Sequence, residues 1–266
     1  DTMVPISHNA AATQGSKMYV KAGAKVSVRN LVKGMDVVSG NDATIALAEF
    51  IAGSPKSFTV LMNQTAKAIG MNNTKFANPD GLPGGDQYTT ARDMASLSRS
   101  YIYNFPEAYK IYGIKGLIWN ASKQYSVSIK ERKLCLPKFN RNDGNVLESY
   151  SVKTLSAADK KQCSDLFPKN DNFVLQNNRN KLLFTFEGAD GMKTGHTDAA
   201  GYNLVSSAKR DGQRYIAVVL GTPNSTMRVQ ESAKLLRHSL TKFTNVLLYR
   251  AKAPIVVSDT LTNAQL

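Results

Sequence analysis

The sequence has few metal-binding side chains and no long apolar run. Its histidines, His8, His196 and His238, are scattered, and no HExxH or equivalent cluster appears. We therefore expect no catalytic metal site. No apolar run approaches the roughly 18 residues that a membrane-spanning helix requires. A hydrophobic content of 42% with 20% charged residues is ordinary for a globular protein and argues against disorder.

Cysteine is scarce as well. Cys135 and Cys163 form no CxxC pair, and both fall in one polar central segment. One disulfide in an oxidising compartment and two unpaired thiols both fit this pattern, because spacing alone does not fix the pairing.

Acidic residues are outnumbered by basic ones. The chain has 34 Lys and Arg against 20 Asp and Glu, a net charge of +14. This balance favours polyanions, acidic membrane surfaces or carboxylate-bearing polymers as partners. The basic residues are spread along the chain, and no nucleic-acid motif appears, so nucleic acid is not an expected partner. A solvated basic surface is the favoured interpretation.

The first residues, Asp1-Thr2-Met3-Val4, are neither an initiator methionine nor a signal peptide. We expect a chain that begins at a processing or truncation point, with any export signal outside these 266 residues.

Cap residues and apolar spacing predict helices in the first half of the chain. Asn41 is expected to cap a helix over 42–52 that Gly53 ends. Ser54 and Pro55 open another helix, which Gly70 closes. The apolar residues of that helix expected in the core are Phe58, Leu61, Met62 and Ile69.

Turn residues predict a loop over 76–88. Thr90 with Asp93 resembles a capping box for a helix that runs to about Tyr103.

The segment at about 120–172 is polar, and its apolar residues show little periodicity. This pattern predicts a loop-rich insert. Strands are then expected over 182–186, 201–208 and 215–220, and the last two are joined by a turn at 209–212. A long helix is expected over about 226–249. These elements predict an α+β fold, an antiparallel sheet flanked by helices beside an all-helical lobe.

Two short motifs carry the functional argument. Ser39-Gly40-Asn41 precedes a predicted helix, and Lys193-Thr194-Gly195 precedes a predicted strand. Each is weak alone, but together and in this order they match two of the three elements of the serine penicillin-recognising enzymes, Ser-x-Asn and Lys-Thr-Gly.

The similarity extends beyond the motifs. From about Thr13 to Tyr249, apart from the insert, the chain resembles the low-molecular-mass D-alanyl-D-alanine carboxypeptidases, which are penicillin-binding proteins. The segments that carry it include Gly70-Met71-Asn72-Asn73-Thr74-Lys75-Phe76, Thr90-Ala91-Arg92-Asp93-Met94, Asn178-Arg179-Asn180, Ala200-Gly201-Tyr202-Asn203-Leu204 and Glu231-Ser232-Ala233-Lys234-Leu235-Leu236.

The resemblance implies a DD-peptidase/β-lactamase-like transpeptidase fold and a set of site residues. Ser39 would relay a proton to the leaving amine, Asn41 would anchor the catalytic lysine or the substrate amide, and Lys193 would supply positive charge. The residues implied in substrate binding are Thr194, Gly195, His196 and Arg228.

The resemblance also implies where the intact enzyme acts and which reaction it catalyses. The intact enzyme would be a periplasmic hydrolase of cell-wall biosynthesis and cell shape. It would trim the terminal D-alanine of peptidoglycan stem pentapeptides through an acyl-serine intermediate. β-Lactams would acylate it, and it would need no cofactor. Association with the inner membrane through a C-terminal anchor is a further expectation.

The Ser-x-x-Lys nucleophile motif does not precede Ser39. No serine upstream of Ser39 has a lysine three positions later, and the matches at Ser206 and Ser239 are no more than chance supplies. We therefore expect residues 1–250 to form a partial carboxypeptidase domain truncated before this motif, inactive alone, with 251–266 opening a truncated C-terminal region.

Of three alternative functions, the sequence disfavours one and leaves two open. A class A β-lactamase is disfavoured because no Glu-x-x-x-Asn pattern stands in the central region. A DD-endopeptidase and a peptidoglycan-binding scaffold that lacks the nucleophile both remain compatible with the sequence.

Overall fold

The computed structural model describes residues 2–127 and 171–243, together with the single positions 158, 161 and 165. The helices are α1 (His8–Ala12), α2 (Val28–Val38), α3 (Asn41–Ala52), α4 (Pro55–Ala68), α5 (Ala91–Asn104), α6 (Pro106–Tyr109), a 3-10 turn (Lys110–Gly113), α7 (Leu182–Thr185) and α8 (Ser225–Lys242). The strands are β1 (Met3–Pro5), β2 (Lys25–Ser27), β3 (Gly116–Asn120), β4 (Tyr125–Val127), β5 (Phe173–Asn177), β6 (Ala189–Thr197), β7 (Gly201–Arg210) and β8 (Gln213–Thr222).

The strands form three antiparallel sheets in the described part of the chain. Their orders are β1-β2, β4-β3-β5 and β6-β7-β8. The turn between β7 and β8 has Asp211 and Gly212 at positive φ, as a tight hairpin requires. The predicted α+β fold with a helix-flanked antiparallel sheet is confirmed.

The sheet β6-β7-β8 lies between two helical layers because its side chains alternate. Leu204 and Ala208 of β7 lie in one buried cluster with Leu236 of α8. Val205 points to the other face and lies in a cluster with Ile102 of α5. Both faces of the sheet are therefore covered, and β6 lies at one edge of it.

A larger core joins α1, α2 and α3 to β3. Trp119, with no exposed surface, belongs to this cluster together with Leu31 and Ala43. Because α2 and α3 are anchored in it, the connection between them is held in a defined place.

Several predicted helix boundaries are correct, and two interpretations are wrong. Gly53 ends α3 in a left-handed conformation, and Ser54 caps α4 by accepting from the Ser57 N–H. Asn41 is not the cap of α3: it is the first helical residue and Gly40 is the cap. None of the four apolar residues predicted in the core is buried: Leu61 is 41% exposed, and Phe58, Met62 and Ile69 are half-buried.

The region around α5 follows the sequence pattern closely. Residues 76–88 form a loop, and Thr90 caps α5 by accepting from the Asp93 N–H. The reciprocal half of a capping box is absent from the described contacts of Asp93, whose carboxylate accepts from the Asn73 N–H and the Thr74 hydroxyl instead.

The second half of the chain holds three corrections. Residues 182–186 are not a strand, because Leu182–Thr185 is the short helix α7. Lys193-Thr194-Gly195 does not precede a strand but lies inside β6. The last helix ends at Lys242, where Phe243 turns to extended backbone.

Part of the predicted organisation lies outside the described residues. This applies to most of the insert at about 120–172, to both cysteines and to residues 251–266. At the edges of the insert, Asn120 ends β3, and β4 pairs with β3. The division of the chain into 1–250 and 251–266 stays a prediction.

No single helix within the described ranges is long and apolar enough to cross a membrane. The pair α3 and α4, bent by 82°, passes a test of length and composition only.

Candidate active site

The connection between α2 and α3 presents Ser39. This residue ends α2 with φ 61° and ψ 35°, a left-handed conformation that costs a non-glycine residue about 1–2 kcal/mol. Its backbone N–H and that of Gly40 are both directed at the Gly34 carbonyl. The tight turn fixes the direction of the Ser39 hydroxyl.

The residues after Ser39 hold the segment at 14–20 in place. The Asn41 side-chain amide donates to the Gln14 carbonyl at 2.8 Å, and its backbone N–H donates to the Ser16 carbonyl at 2.7 Å. Asp42 is fully buried and accepts from three consecutive backbone N–H groups, those of Met18, Tyr19 and Val20. The predicted site residue Asn41 thus also binds the segment that precedes the site.

Lys193 reaches Ser39 from the edge strand of the sheet. Its Nζ donates to the Ser39 Oγ at 2.5 Å and to the Thr194 carbonyl at 3.0 Å. The two motifs found in the sequence therefore meet in space through their first residues, although 154 positions separate them.

The charge state of Lys193 is set by opposing effects. Burial is the largest, and it lowers the pKa of the Lys193 ammonium to about 8. The charge of Asp36 acts in the opposite direction, and the charges of Arg179 and Arg228 lower the pKa further. Lys193 is therefore a cation that can lose its proton a little above neutral pH.

Arg228 forms a second cationic point beside the same strand. It is 8% exposed, and its Nη1 donates to the Gly195 carbonyl at 3.2 Å. Its guanidinium carbon lies 5.4 Å from the centre of the Tyr202 ring, which in turn lies 3.9 Å from the His196 ring. Its Nε is buried and makes no hydrogen bond within the described residues. A buried, incompletely satisfied guanidinium is suited to bind a carboxylate.

Strand β6 leaves one edge open in the described structure. It pairs with β7 on one side only, with Lys193 opposite Val205 and Gly195 opposite Asn203. An extended peptide can add to such an edge through main-chain hydrogen bonds. Buried Thr194 and exposed His196 lie on this strand, each next to Gly195, whose carbonyl accepts from Arg228.

The structure thus brings Ser39 to Lys193 and Arg228 to Gly195, while the chemical roles of the seven predicted site residues stay predictions. Sequence reasoning did not select Asp36, whose charge acts on Lys193, or Tyr112, whose hydroxyl acts on Asp36. Arg179 stood in a family-like segment, where buried Asn178 and Asn180 hold the backbone, but it was not selected. No group of three or more His, Cys, Asp or Glu within the described ranges lies close enough to hold a metal ion.

The two Ser-x-x-Lys matches lie on β7 and on α8. Ser206 is fully buried in β7 and donates to the Ala217 carbonyl. Ser239 lies near the end of α8, about 16 Å along the helix axis from Arg228 at 1.5 Å per residue. Ser206 lies opposite Met192 in the ladder between β6 and β7, so its side chain is on the sheet face opposite to that of Lys193.

Comparison with known proteins agrees with this geometry. The family model described as D-alanyl-D-alanine carboxypeptidase matches residues 1–145 and 144–224. The carboxypeptidase DacC of Escherichia coli is 36% identical over 249 residues, 93% of this chain and 49% of that protein. The carboxypeptidase DacA of Haemophilus influenzae is 36% identical over 86% of this chain and 45% of its own length.

Solved structures show the same relationship. The crystal structure of the carboxypeptidase DacD from Francisella tularensis matches with a TM-score of 0.89 and 73% identity, covering 100% of this chain and 64% of that one. Penicillin-binding protein 6B from Escherichia coli matches with a TM-score of 0.71 and 33% identity, covering 95% of this chain and 65% of that one. The chain spans about half the length of the curated relatives. It belongs to the D-alanyl-D-alanine carboxypeptidase family.

Proposed function

We propose that this chain forms the substrate-binding wall of a serine-type D-Ala-D-Ala carboxypeptidase. The enzyme removes the terminal D-alanine from peptidoglycan stem peptides and is a β-lactam target. The observation that supports this proposal most directly is the 2.5 Å contact between Lys193 Nζ and Ser39 Oγ, which brings the two family motifs together.

The open edge of β6 supports this substrate. A peptide that ends in a carboxylate lies along β6 and places its terminal charge near Thr194 and the buried guanidinium of Arg228. A β-lactam presents a carboxylate and an amide in a similar arrangement, so the same contacts select it. The cationic cleft orients both ligands by their negative charge.

The reaction needs an attacking hydroxyl, a proton route and a stabilised oxyanion. The attacking hydroxyl gives its proton to the lysine of its own motif as its oxygen bonds to the amide carbonyl carbon, the C–N bond to D-alanine breaks, and the amine leaves with a proton supplied from the other side. Ser39 delivers this proton, since its hydroxyl is bonded to Lys193, a group able to exchange protons near neutral pH. Water then hydrolyses the acyl-serine.

We place the attacking serine outside these 266 residues, in a Ser-x-x-Lys motif. Ser39 accepts a hydrogen bond from the Lys193 ammonium, a donor that does not activate a hydroxyl by removing its proton. Ser206 is buried in the sheet, and Ser239 lies at the far end of α8.

Labelling the full-length protein with fluorescent penicillin, followed by peptide mass spectrometry, tests this proposal. We expect one acylated serine outside residues 1–266, undiminished labelling of a Ser239→Ala variant, and release of D-alanine from a tripeptide ending in Lys-D-Ala-D-Ala. An acyl group on Ser39 or Ser239 would overturn the placement of the nucleophile. Absence of both labelling and D-alanine release would overturn the enzymatic assignment in favour of a binding scaffold.

A further inference from the structure

A buried carboxylate three residues before Ser39 has no part in the reaction described above. Asp36 is on α2, one helical turn before Ser39, and is 3% exposed. Its Oδ2 is buried and makes no hydrogen bond to any residue of the described ranges. Leaving a carboxylate oxygen in this state is costly unless a nearby charge compensates it.

The groups around Asp36 come from three other elements. Lys193 of β6 contacts Ser39, three residues after Asp36, and its charge acts on the Asp36 carboxyl group. The carboxyl group in turn acts on the hydroxyls of Tyr112, in the 3-10 turn, and Tyr101, in α5. The Tyr112 hydroxyl favours the charged form of the carboxyl group. Lys193 is the cation among these groups.

Lys193, a buried cation, needs a nearby negative charge in the same way. The charged groups acting on it in the described structure are Asp36, Arg179 and Arg228. Two are cations, so Asp36 supplies the negative charge that favours a protonated Lys193. Without it, burial and both arginines would act together against the ammonium.

We propose that Asp36 is the buried counter-ion of Lys193, a positioning residue that keeps the lysine charged and directed at Ser39. Asp36 need not touch the substrate, since it acts through Lys193. This assignment rests on the proposed function for its catalytic consequence, but its electrostatic part can be measured without turnover.

The pH dependence follows from the signs of the interactions. Burial raises the pKa of the Asp36 carboxyl to about 7, and the pKa of Lys193 is lowered to about 8. Between these values both groups are charged and attract each other. Below the pKa of Asp36 the carboxyl is neutral, so an Asp36→Asn variant should behave like the wild type there. Above it the variant lacks the negative charge, and its Lys193 loses the proton at lower pH.

Competitive labelling with trace acetic anhydride, quantified by peptide mass spectrometry across pH, reports the protonation midpoint of Lys193 directly. In the full-length protein, we expect Asp36→Asn to lower this midpoint by about one pH unit or more, the size of effect that a close opposite charge has. Tyr112→Phe should shift it in the same direction by less, because the carboxylate loses a group that favours its charge.

Asp93→Asn is the matched control, because Asp93 is equally buried at 3% exposed but lies at the start of α5 and binds residues 73 and 74. It should leave the Lys193 midpoint unchanged while lowering stability. An unchanged midpoint in folded Asp36→Asn, or in Tyr112→Phe should the first variant not fold, overturns the counter-ion assignment.

The penicillin acylation rate measured over the same pH range separates the two proposals. We expect its alkaline limb to move with the Lys193 midpoint in Asp36→Asn and the two proteins to converge at acidic pH. A shifted midpoint in a protein that penicillin does not acylate would uphold the counter-ion and overturn the proposed function.

Discussion

Ser39 combines a hydroxyl that contacts Lys193 with a left-handed backbone, and two substitutions separate these properties. Ser39→Ala and Ser39→Gly both remove the hydroxyl, so penicillin acylation of the full-length protein should fall by roughly 10²-fold or more, as for loss of a proton-transfer group. Glycine adopts φ 61° without steric cost, so Ser39→Gly should be more stable than Ser39→Ala by about 1 kcal/mol in urea unfolding. Equal stability of the variants would contradict the backbone argument, and unchanged acylation would reduce Ser39 to a turn residue.

At this scale, the sequence predicts the residues that a motif marks and misses those that only the fold brings together. Ser39 and Lys193 could be selected because each begins a recognisable triplet. Asp36 could not, because nothing local shows that a carboxylate on α2 is buried opposite a lysine on β6. Asn41 looked like a helix cap because asparagine favours that position, but its side chain is bound to Gln14 instead.

Among the elements, the start of α3 depends on a single carboxylate. Asp42 accepts from the backbone N–H groups of Met18, Tyr19 and Val20 and from that of Ala43. Asp42→Asn removes the charge and turns an NH₂ group toward these donors. We expect a loss of about 2–4 kcal/mol in the free energy of unfolding, because the buried donors lose charge-assisted acceptors. Amide hydrogen exchange at residues 18–20 should quicken in the same variant.

The control for this prediction is Asp198→Asn, which removes the same charge from an exposed position after β6. Surface substitutions of this kind stay within about 0.5 kcal/mol. A similar small effect for Asp42→Asn would show that the segment at 14–20 is held by other contacts.

The sequence predicted the type of an element correctly where the periodic segment was long. Predictions from short segments failed. The helices α3, α4 and α5 have cap residues at sites that the sequence marks. The apolar run at 182–186 was predicted to be a strand, but the Asn180 side chain accepts from the Leu182 N–H and starts a helical turn. A run of this length does not distinguish the two states by its pattern. Strand β6 was missed at Lys193-Thr194-Gly195 because lysine and glycine are depleted in strands, and the pairing with β7 determines the conformation instead.

For the whole molecule, composition indicated the sign of the charge but not its location. A net charge of +14 is compatible with many anionic partners. The fold gives the charge a location, because it places Lys193 of β6 and Arg228 of α8 beside the same strand, with the charge of Arg179 acting on both. Nothing in the spacing of these residues along the chain shows that they converge.

This charge should appear in the ionic-strength dependence of β-lactam capture. The second-order rate constant for acylation of the full-length protein by benzylpenicillin, an anion, should fall several-fold between about 10 mM and about 300 mM NaCl, because salt screens long-range attraction. The methyl ester of the same compound is neutral and should react more slowly with little salt dependence. Arg228→Gln should flatten the dependence for the anion more than Arg92→Gln, which removes the same charge from an exposed site at the start of α5. Parallel slopes for the acid and its ester would show that the basic surface does not guide the ligand, leaving Arg228 to act by contact alone.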